Sequence, residues 1–427
     1  MGEKASIAVK ADFIHFLNED KMQYIPKGML WIEDGKVRMI GTESEVISAI
    51  PASLPIQDYS GKIIFPGFID GHVHAVQTQA IASYGKQLLD WLETYVFPLE
   101  QKFENELFAR KSIRFFLNQL LRNGTTTAAV FPSRHAEATA VLFDEALALN
   151  MRIVGGKTAM DRDAPASLCD ETEKTFSENQ QLIEKYHQTE RLSYALTPRF
   201  AITSTSEQLQ AIGDLKKAYP KMGVQTHVSE NKQEIESVKK LFPEAKNYLD
   251  VYDKYGFLGK GSLMAHGIYL EEEEWQRLSE TQTSLVHCPT SNLFLGSGLF
   301  NIEKCRAYTI PLALGSDVGG GNSFSMLKTA AEAYKIAALQ NMEFTARQAF
   351  YLLTLGGAKA LNLDAFIGNF EKGKEADFIV VDPGATALMQ ERLKVAKTID
   401  EILFVLMMLG DERNISTVFL QGNKVIV

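Results

Sequence analysis

The chain has 427 residues, of which 45% are hydrophobic, 10% aromatic and 23% charged, and this composition excludes a disordered or fibrous protein. Its length predicts two or three structural units, or one barrel with an addition. The formal net charge of -9 argues against nucleic acid or an anionic membrane surface as a partner, because both favour a basic face, so a small neutral substrate fits better.

The first 66 residues are rich in β-forming sequence. SIAVKADFIHF, GMLWIEDGKVRMIG and GKIIF are separated by Asp-Gly or Ser-Gly turn signals, which predicts short strands. The polar start, MGEKASIAVKADF, lacks the apolar core of a signal peptide.

The central region, roughly 67–364, alternates apolar strand-like runs with amphipathic helical segments such as SEQLQAIGDLKKAYP. Eight strands with intervening helices predict a (β/α)₈ barrel of the TIM type in an α/β fold. An open doubly wound sheet is the alternative, but no Gly-rich phosphate turn follows the first strand. The eight runs are GFIDGHVH, GTTTAAVF, MRIVGGKTAM, YALTPRF, GVQTHVSE, SLMAHGI, TSLVHCP and IPLALGSD.

Most of these strands end in polar or ionisable residues. Barrel enzymes build their sites at the carboxyl ends of the strands, so this placement predicts catalysis. The residues are His72, His74, Arg199, His227, His266, His287 and Asp317.

His72 and His74 end the first strand of the central region. Residues two apart on a strand point to the same side, so both imidazoles can bind one metal ion. An isolated His-x-His pair is more often structural, and the preceding Pro-Gly-Phe-Ile-Asp-Gly at 66–71 strengthens the interpretation as ligands.

His227 ends another strand, and Glu230 follows on the next loop. This spacing lets His227 bind the metal while Glu230 reaches the reacting water and the substrate. A single Glu at a strand end is otherwise a solvated or helix-starting residue. The other histidines favour the catalytic role.

His266 and Asp317 complete the predicted site. His266 is either a fourth metal ligand or, as we prefer, a residue that orients the water. Asp317, in Gly-Ser-Asp, can bind the metal weakly and accept a proton from the water, and helix capping is its structural alternative. Three imidazoles and a carboxylate suit zinc, and ligand type alone leaves iron open. His15, His135 and His187 receive no metal role, and His287 stays open.

Cys288 follows His287, which leaves a thiol nucleophile as an alternative. A strand that ends at a turn, with Cys288 packed as a small apolar residue, is the better interpretation. Together with Cys169 and Cys305 it provides too few cysteines for a disulfide framework.

The end of the chain resembles its beginning. IGNFEKGKEADFIVVD and NISTVFLQGNKVIV have β character, so the two chain ends are predicted to pair outside the central region. The longest apolar run, Ile402 to Leu409, is far shorter than the roughly 20 residues of a spanning helix. We therefore expect a cytoplasmic protein without a membrane partner.

The series from Pro66 to His74, His227 with Glu230, His266 and Asp317 resembles the amidohydrolase superfamily and its single-metal deaminase branch. That resemblance implies a metal-centred barrel at 67–366 and a small β-sandwich from 1–66 and 367–427. Lys157 is the nearest candidate for a lysine that bridges two metals, and packing by its stem is the better interpretation.

Eight longer motifs are more specific: HAVQ at 74–77, LDWL at 89–92, NGTTT at 123–127, TPRF at 197–200, THVSEN at 226–231, HCPTSN at 287–292, SFSML at 323–327 and LGDERN at 409–414. Together they resemble the guanine deaminase family. The resemblance implies hydrolysis of guanine to xanthine and ammonia in purine catabolism, one zinc ion per subunit and a homodimer. His72, His74, His227 and Asp317 would bind the metal, and Glu230, His266 and Asp317 would act on the water. Gln77, Arg199, Phe200 and His266 would contact guanine.

Two alternatives remain at this stage. The same metal pattern serves deamination of another aminopurine or an adenosine derivative, or hydrolysis of a triazine. The second alternative is a non-catalytic barrel. Such a protein should have lost a metal ligand or Glu230, whereas this sequence has every predicted ligand and Glu230.

Overall fold

The computed structural model describes residues 5–84 and 87–425, which form a mixed α/β structure. Short 3-10 and π-helical segments complete the elements. The strands are β1 (Ile7–Asn18), β2 (Lys21–Glu33), β3 (Lys36–Thr42), β4 (Ile56–Pro66), β5 (Phe68–His74), β6 (Thr125–Phe131), β7 (Arg152–Gly155), β8 (Thr158–Ala159), β9 (Leu192–Tyr194), β10 (Thr197–Pro198), β11 (Gln225–Val228), β12 (Leu263–His266), β13 (Ser284–His287), β14 (Leu312–Leu314), β15 (Phe378–Val381), β16 (Ile415–Leu420) and β17 (Asn423–Val425). The helices are α1 (Glu43–Ala49), α2 (Leu88–Trp91), α3 (Phe97–Glu100), α4 (Glu106–Arg122), α5 (Ala136–Leu149), α6 (Thr172–Tyr186), α7 (Ser206–Ala218), α8 (Lys232–Leu241), α9 (Tyr248–Lys254), α10 (Glu272–Thr281), α11 (Pro289–Phe294), α12 (Ile302–Ala307), α13 (Met326–Leu339), α14 (Ala346–Tyr351), α15 (Gly357–Ala360), α16 (Ala387–Leu393) and α17 (Ile399–Leu409).

Both ends of the chain contribute to one seven-stranded sheet, ordered β17-β16-β15-β4-β1-β2-β3. β15 pairs antiparallel with β4 and with β16, so that the last strands lie against the first ones. Side chains alternate along each strand, and one face carries an apolar layer in which the rings of Phe378 and Phe419 stack with centroids 4.3 Å apart. The prediction that the two chain ends pair is confirmed.

Two details of these ends differ from the sequence-based expectation. Ser60-Gly61 is not a turn between strands, because it lies inside β4. Gly61 there has φ of 81°, and the register against β1 shifts nearby. The stretch 367–427 is only partly β, since α16 and α17 separate β15 from β16. The apolar run 402–409 belongs to α17, which buries Leu403 and Leu406.

Seven of the eight apolar runs predicted for the central region contain a strand of one of two parallel four-stranded sheets. The YALTPRF run at 194–200 is placed too late in the chain: it holds only the last residue of β9, and it contains β10, which pairs with β8 in a separate two-stranded parallel sheet. The four-stranded sheets have the orders β5-β6-β7-β9 and β11-β12-β13-β14, with at least one helix between successive strands. Parallel neighbours require such crossovers, and both faces of the sheets are therefore covered. No helix within the described ranges is long and apolar enough to cross a membrane.

Hydrogen bonds connect the two parallel sheets at both of their edges. Leu196, beyond β9, bridges in parallel to Val224, which precedes β11. At the other edge, the Asp317 amide donates to the His72 carbonyl at 2.8 Å, and the His74 amide donates to the Val318 carbonyl at 3.1 Å. These bonds hold the end of β5 beside the segment that follows β14.

Two glycines permit this close approach. A Cβ at Gly71 would lie 2.7 Å from the Ala313 Cβ, and one at Gly315 would lie 2.9 Å from the His72 Cβ. Small residues are therefore required where β5 meets β14. Between the strands lies a compact apolar cluster that includes Ile69, Ala129, Val154, Ala265, Val286 and Ala313.

A cluster of charged side chains, called here the strand-base ion cluster, lies at the opposite ends of the parallel strands. It consists of Arg152, at the start of β7, Arg191, just before β9, and Glu375 and Asp377, just before β15. Arg152 Nη2 donates to Glu375 Oε1 at 2.5 Å, Arg191 pairs with Asp377, and Arg191 Nε donates to Glu375 Oε2 at 3.1 Å. The cluster joins the parallel strands to the terminal sheet.

Candidate active site

Four of the predicted site residues converge where the parallel strands end. His74 Nε2 lies 3.1 Å from His72 Nε2 and 3.2 Å from His227 Nε2. Asp317 Oδ1 lies 3.4 Å from His72 Nε2 and 3.3 Å from His74 Nε2. All four side chains are buried. The structure therefore brings together the residues that the strand-end pattern predicted.

These donors fit a divalent metal ion. Ligands 2.0–2.1 Å from a zinc ion in a tetrahedral arrangement are themselves about 3.3 Å apart, close to the distances between these atoms. Within residues 5–84 and 87–425, two groups of side chains could hold an ion, and they share His72: His72 with His74 and His227, and His72 with His266 and Asp317.

The protonation of the imidazoles also suits metal binding. Burial lowers the pKa of His74 to about 3 and that of His227 well below its usual value, so both rings stay neutral. His227 Nδ1 lies 2.7 Å from the Arg199 carbonyl and donates to it in the neutral ring, which leaves the Nε2 lone pair for the metal. Burial opposes ionisation of Asp317, but its contacts with His72 and His74 outweigh burial and hold its pKa well below the usual range.

Glu230 and His266 lie beside this metal-binding group. His266 Nε2 is 3.5 Å from Glu230 Oε2 and 3.7 Å from Asp317 Oδ2. Burial, reinforced by the charge of Asp317, raises the pKa of Glu230 to about 8. A carboxyl group with this pKa is protonated at neutral pH and can donate a proton.

The backbone at three positions of the site adopts the left-handed region. Ser229, His266 and Asp317 have φ of 47°, 71° and 48°. Residues other than glycine rarely adopt this backbone conformation. Each such residue costs of order 1–3 kcal/mol, and such residues are concentrated at functional sites. The surrounding hydrogen bonds, such as Asp317 amide to His72 carbonyl, hold these turns in place.

The three predicted substrate-contacting residues beyond His266 line the same cavity. Gln77 lies on a 3-10 turn after β5, and its Oε1 accepts a hydrogen bond from the Gly319 amide at 3.2 Å. Arg199 is buried, with its Nη1 3.9 Å from Glu100 Oε2 and its guanidinium 5.9 Å from the Phe97 ring centre. The Phe200 ring centre is 6.2 Å from that of His227. Because Arg199 is buried, it does not form an ion pair on the protein surface.

An apolar wall faces these polar residues. Leu88, Trp91 and Leu92, from α2 and the π-helical turn after it, line the cavity together with Leu295. The free space is about 20 Å³, enough for roughly one water molecule. The polarity of the site, apolar on one side and hydrogen-bonding on the other, matches a flat heterocycle, and a ring of that size enters only when the apolar wall moves outward.

Comparison with known proteins identifies the family. The model of the amidohydrolase family matches residues 63–425. Guanine deaminase of Escherichia coli (strain K12) is 46% identical over 432 residues, which cover 99% of this chain and 98% of that protein. This chain belongs to the guanine deaminases of the amidohydrolase family.

Solved structures agree with this family membership. The E. coli guanine deaminase structure has a TM-score of 0.97 and covers 98% of this chain and 99% of its own. Guanine deaminase from C. acetobutylicum, solved with guanine bound in its active site, is 30% identical with a TM-score of 0.91 and covers 99% and 100%. An adenosine deaminase from Xanthomonas campestris with bound zinc, 20% identical with a TM-score of 0.85 over 99% and 93%, shares the fold alone. The mixed α/β amidohydrolase fold is thus established.

The sequence leaves open the roles of three side chains, His287, Cys288 and Lys157, and each of them makes contacts of a structural kind. The His287 ring stacks on Phe300 with centroids 4.6 Å apart and belongs to neither metal-capable group among the described residues. Cys288 is fully buried, and burial holds its pKa well above the usual value, so it is no thiolate nucleophile. Lys157 is also fully buried, but it pairs with Asp170 and lies 3.3 Å from Glu178, so its role is an ion pair and not packing by its stem.

Four side chains that contact the candidate active site are not predicted from the sequence. Asp70 accepts from the Ser316 amide at 2.9 Å, and Glu100 faces Arg199. Asn292 contacts His266 and Ser297 contacts Glu230. Asp70 and Asn292 lie inside quoted motifs, which was the available signal. Glu100 and Ser297 lie in segments without a recognised pattern.

Proposed function

We propose that this protein hydrolyses guanine to xanthine and ammonia, in the cytoplasm, as a step of purine catabolism. The observation that carries the proposal is the convergence of Arg199, Gln77, Glu230 and Asp317 on one cavity in a chain 46% identical to the E. coli guanine deaminase. The bound guanine in the related C. acetobutylicum structure supports guanine as the substrate.

His72, His74, His227 and Asp317 would hold one zinc ion per subunit, with iron as the alternative. When bound, such an ion lowers the pKa of water to about 7 and makes hydroxide available at neutral pH. The neutral imidazoles, the ionised Asp317 and the separations of 3.1–3.4 Å between their ligand atoms support this assignment.

The proposed proton transfers use Asp317 and Glu230. As water adds to C2, Asp317 accepts one of its protons and the protonated Glu230 donates its own proton to ring nitrogen N3. The added hydroxyl then returns a proton to Glu230, which delivers it to the departing amino group as ammonia. The proton on Asp317 restores Glu230, and His266 orients the water from its position between the two carboxyl groups.

Recognition of the purine would come from the other wall of the cavity. The Arg199 guanidinium donates toward O6, and Gln77 reads the adjoining N1 edge through the amide group that Gly319 holds. The Phe200 ring stacks on the heterocycle. The Glu100 carboxyl group lies 3.9 Å from Arg199 Nη1 and would hold the guanidinium in place by electrostatic attraction.

The finer architecture belongs to the same proposal. We infer that the eight parallel strands close into a (β/α)₈ barrel at 67–366, supported by the hydrogen bonds that connect both sheet edges. The segments 1–66 and 367–427 form the small β-sandwich domain, supported by the seven-stranded sheet from both chain ends. The family resemblance supports a homodimer.

A substrate comparison tests the reaction. Purified protein loaded with zinc should convert guanine to xanthine, followed by absorbance, while adenine, 8-oxoguanine and a triazine react at least a hundredfold more slowly. If the protein converts only one of the other compounds, the metal site is still supported, but the roles proposed for Gln77 and Arg199 are wrong. Absence of turnover with every compound, in protein carrying one metal ion per chain, would favour a non-catalytic barrel.

A further inference from the structure

We propose that Asn292 and Ser297 are positioning residues that hold His266 and Glu230, respectively, in the orientation needed for proton transfer. Both lie in the segment after β13, called here the β13 clamp (residues 288–298). The proposal rests on the roles proposed above for His266 and Glu230. It adds two residues that act through them and do not themselves touch the reacting atoms.

Asn292 determines which nitrogen of His266 faces the reaction. His266 Nδ1 lies 2.9 Å from Asn292 Oδ1, and both side chains are fully buried. An amide oxygen can only accept, so Nδ1 carries a proton and the ring turns its Nε2 atom toward the cavity. That Nε2 atom is the one 3.5 Å from Glu230 and 3.7 Å from Asp317. Without Asn292, the buried ring could take the opposite tautomer or rotate.

Ser297 determines which oxygen of Glu230 is free. Its hydroxyl donates to Glu230 Oε1 at 2.9 Å, and both side chains are buried. Oε2 is thereby left to face His266 and the cavity. A carboxyl group held at one oxygen cannot rotate freely, so its proton is aimed in one direction.

The β13 clamp is itself fixed at several points. Pro289 starts α11, and Thr290 Oγ1 donates to the Ser316 carbonyl at 3.0 Å, next to Asp317. The Ser297 amide donates to the Asn292 carbonyl at 2.9 Å, and Tyr269 donates to the Ser297 carbonyl at 2.6 Å. These bonds link the two positioning residues to each other, so one segment sets both orientations.

Gly298 explains why the β13 clamp can turn so close to Tyr269. Its φ is 148°, and a Cβ there would lie 2.6 Å from the Tyr269 hydroxyl. A side chain at this position would push the segment away from Tyr269 and displace Ser297. The sequence Gly-Ser-Gly at 296–298 is therefore the local signature of this arrangement.

The test compares substitutions that remove the polar group with conservative substitutions that keep it. Ser297→Ala and Asn292→Leu, measured as metal-loaded protein with guanine, should each lower kcat about tenfold to a hundredfold while KM changes less than about threefold. Ser297→Thr and Asn292→Asp keep a hydroxyl and an acceptor, and should recover most of the lost rate. Ser291→Ala removes a buried hydroxyl from the same segment that has no hydrogen-bond partner among the described residues, and should retain activity.

A measurement independent of guanine separates this proposal from the proposed reaction. Nitrogen-15 NMR of labelled histidine in the metal-loaded protein should show a proton fixed on His266 Nδ1, and Asn292→Leu should lose that fixed protonation. An unchanged spectrum in Asn292→Leu would overturn the positioning roles. So would a kcat within threefold of wild type in both Ser297→Ala and Asn292→Leu. If wild-type protein does not deaminate guanine, the proposed function fails while the spectrum still decides the role of Asn292.

Discussion

Two buried polar clusters lie at opposite ends of the parallel strands, and their hydrogen bonding differs. In the strand-base ion cluster, both Arg191 and Asp377 also bond to the backbone, at the Asn150 carbonyl and the Gln421 amide. In the active-site cluster, formed by His72, His74, His227, Glu230, His266 and Asp317, the His266 Nε2 atom lies beside Glu230 and has no hydrogen-bond partner among the described residues. The first cluster stabilises the fold, whereas the second keeps polar atoms available for a metal ion and a substrate.

The largest expected effect follows from removing the metal from the active-site cluster. Treatment with a chelator should reduce guanine turnover to background, because the water then loses the ion that lowers its pKa, and added zinc should restore it. His227→Asn should prevent binding of one metal ion per chain, whereas His287→Asn should bind it normally. Full turnover by protein shown to be free of metal would contradict the assignment of these ligands.

Replacing Glu230 should be nearly as damaging to activity and harmless to the fold. Glu230→Gln keeps the shape but removes the transferable proton, so kcat should fall about a thousandfold with the melting temperature and metal content preserved. Glu274→Gln is the matched control, since that buried carboxyl group only accepts bonds from the Leu249 and Glu271 amides. Retention of more than a tenth of the activity in Glu230→Gln would refute the proton-donor role.

The strand-base ion cluster should respond in the opposite way. Arg191→Met leaves Asp377 buried without its cation and Glu375 with Arg152 alone, so the free energy of unfolding should fall by about 3–5 kcal/mol while kcat of the folded protein is unchanged. Arg114→Met breaks a pair with Glu145 in which the arginine is 61% exposed, and should cost about 1 kcal/mol or less. Denaturant unfolding together with specific activity measures both. A loss of kcat in Arg191→Met would mean that the two clusters are coupled.

The smallest expected effect concerns pH and the terminal sheet. Burial lowers the pKa of His15 from 6.5 to about 4, and its ring packs against Phe370 at 5.5 Å. The unfolded chain therefore binds a proton that the folded chain excludes, so stability falls as the pH falls from 6.5 to 4. From pH 7.5 to 5.5 this should cost about 1 kcal/mol. Unfolding curves at both pH values should show a smaller loss for His15→Gln, and equal losses would contradict the assignment.

The comparison also explains which parts of the molecule the sequence predicts. The active-site ligands are predictable because each follows an apolar strand, and the strand ends of parallel sheets meet. The strand-base ion cluster is not predictable in this way, since Arg152 and Glu375 are 223 residues apart and no local pattern joins them. Burial of Arg191 depends on how the terminal sheet packs, which only the three-dimensional structure shows.

Within the site, the same distinction separates ligands from their supports. His72 and His74 are identified by spacing, and Glu230 by its distance along the chain from His227. Glu100 and Ser297 carry no such pattern, because they reach the site from α3 and from the loop after α11. The Ser60-Gly61 pair inside β4 is also wrongly predicted as a turn when the partner strand is unknown.

The shared sheet has a consequence for how the protein is made. Lys62 pairs with Asp382 across 320 residues of sequence, and Asn369 donates to the Phe16 carbonyl across 353. During synthesis, β1 and β4 leave the ribosome long before β15 and β16 exist, so the edge of β4 that pairs with β15 stays unpaired until residues 378–381 have been made. Closing this sheet is therefore one of the last events of folding, and the interval before it is when the nascent chain most needs protection from aggregation.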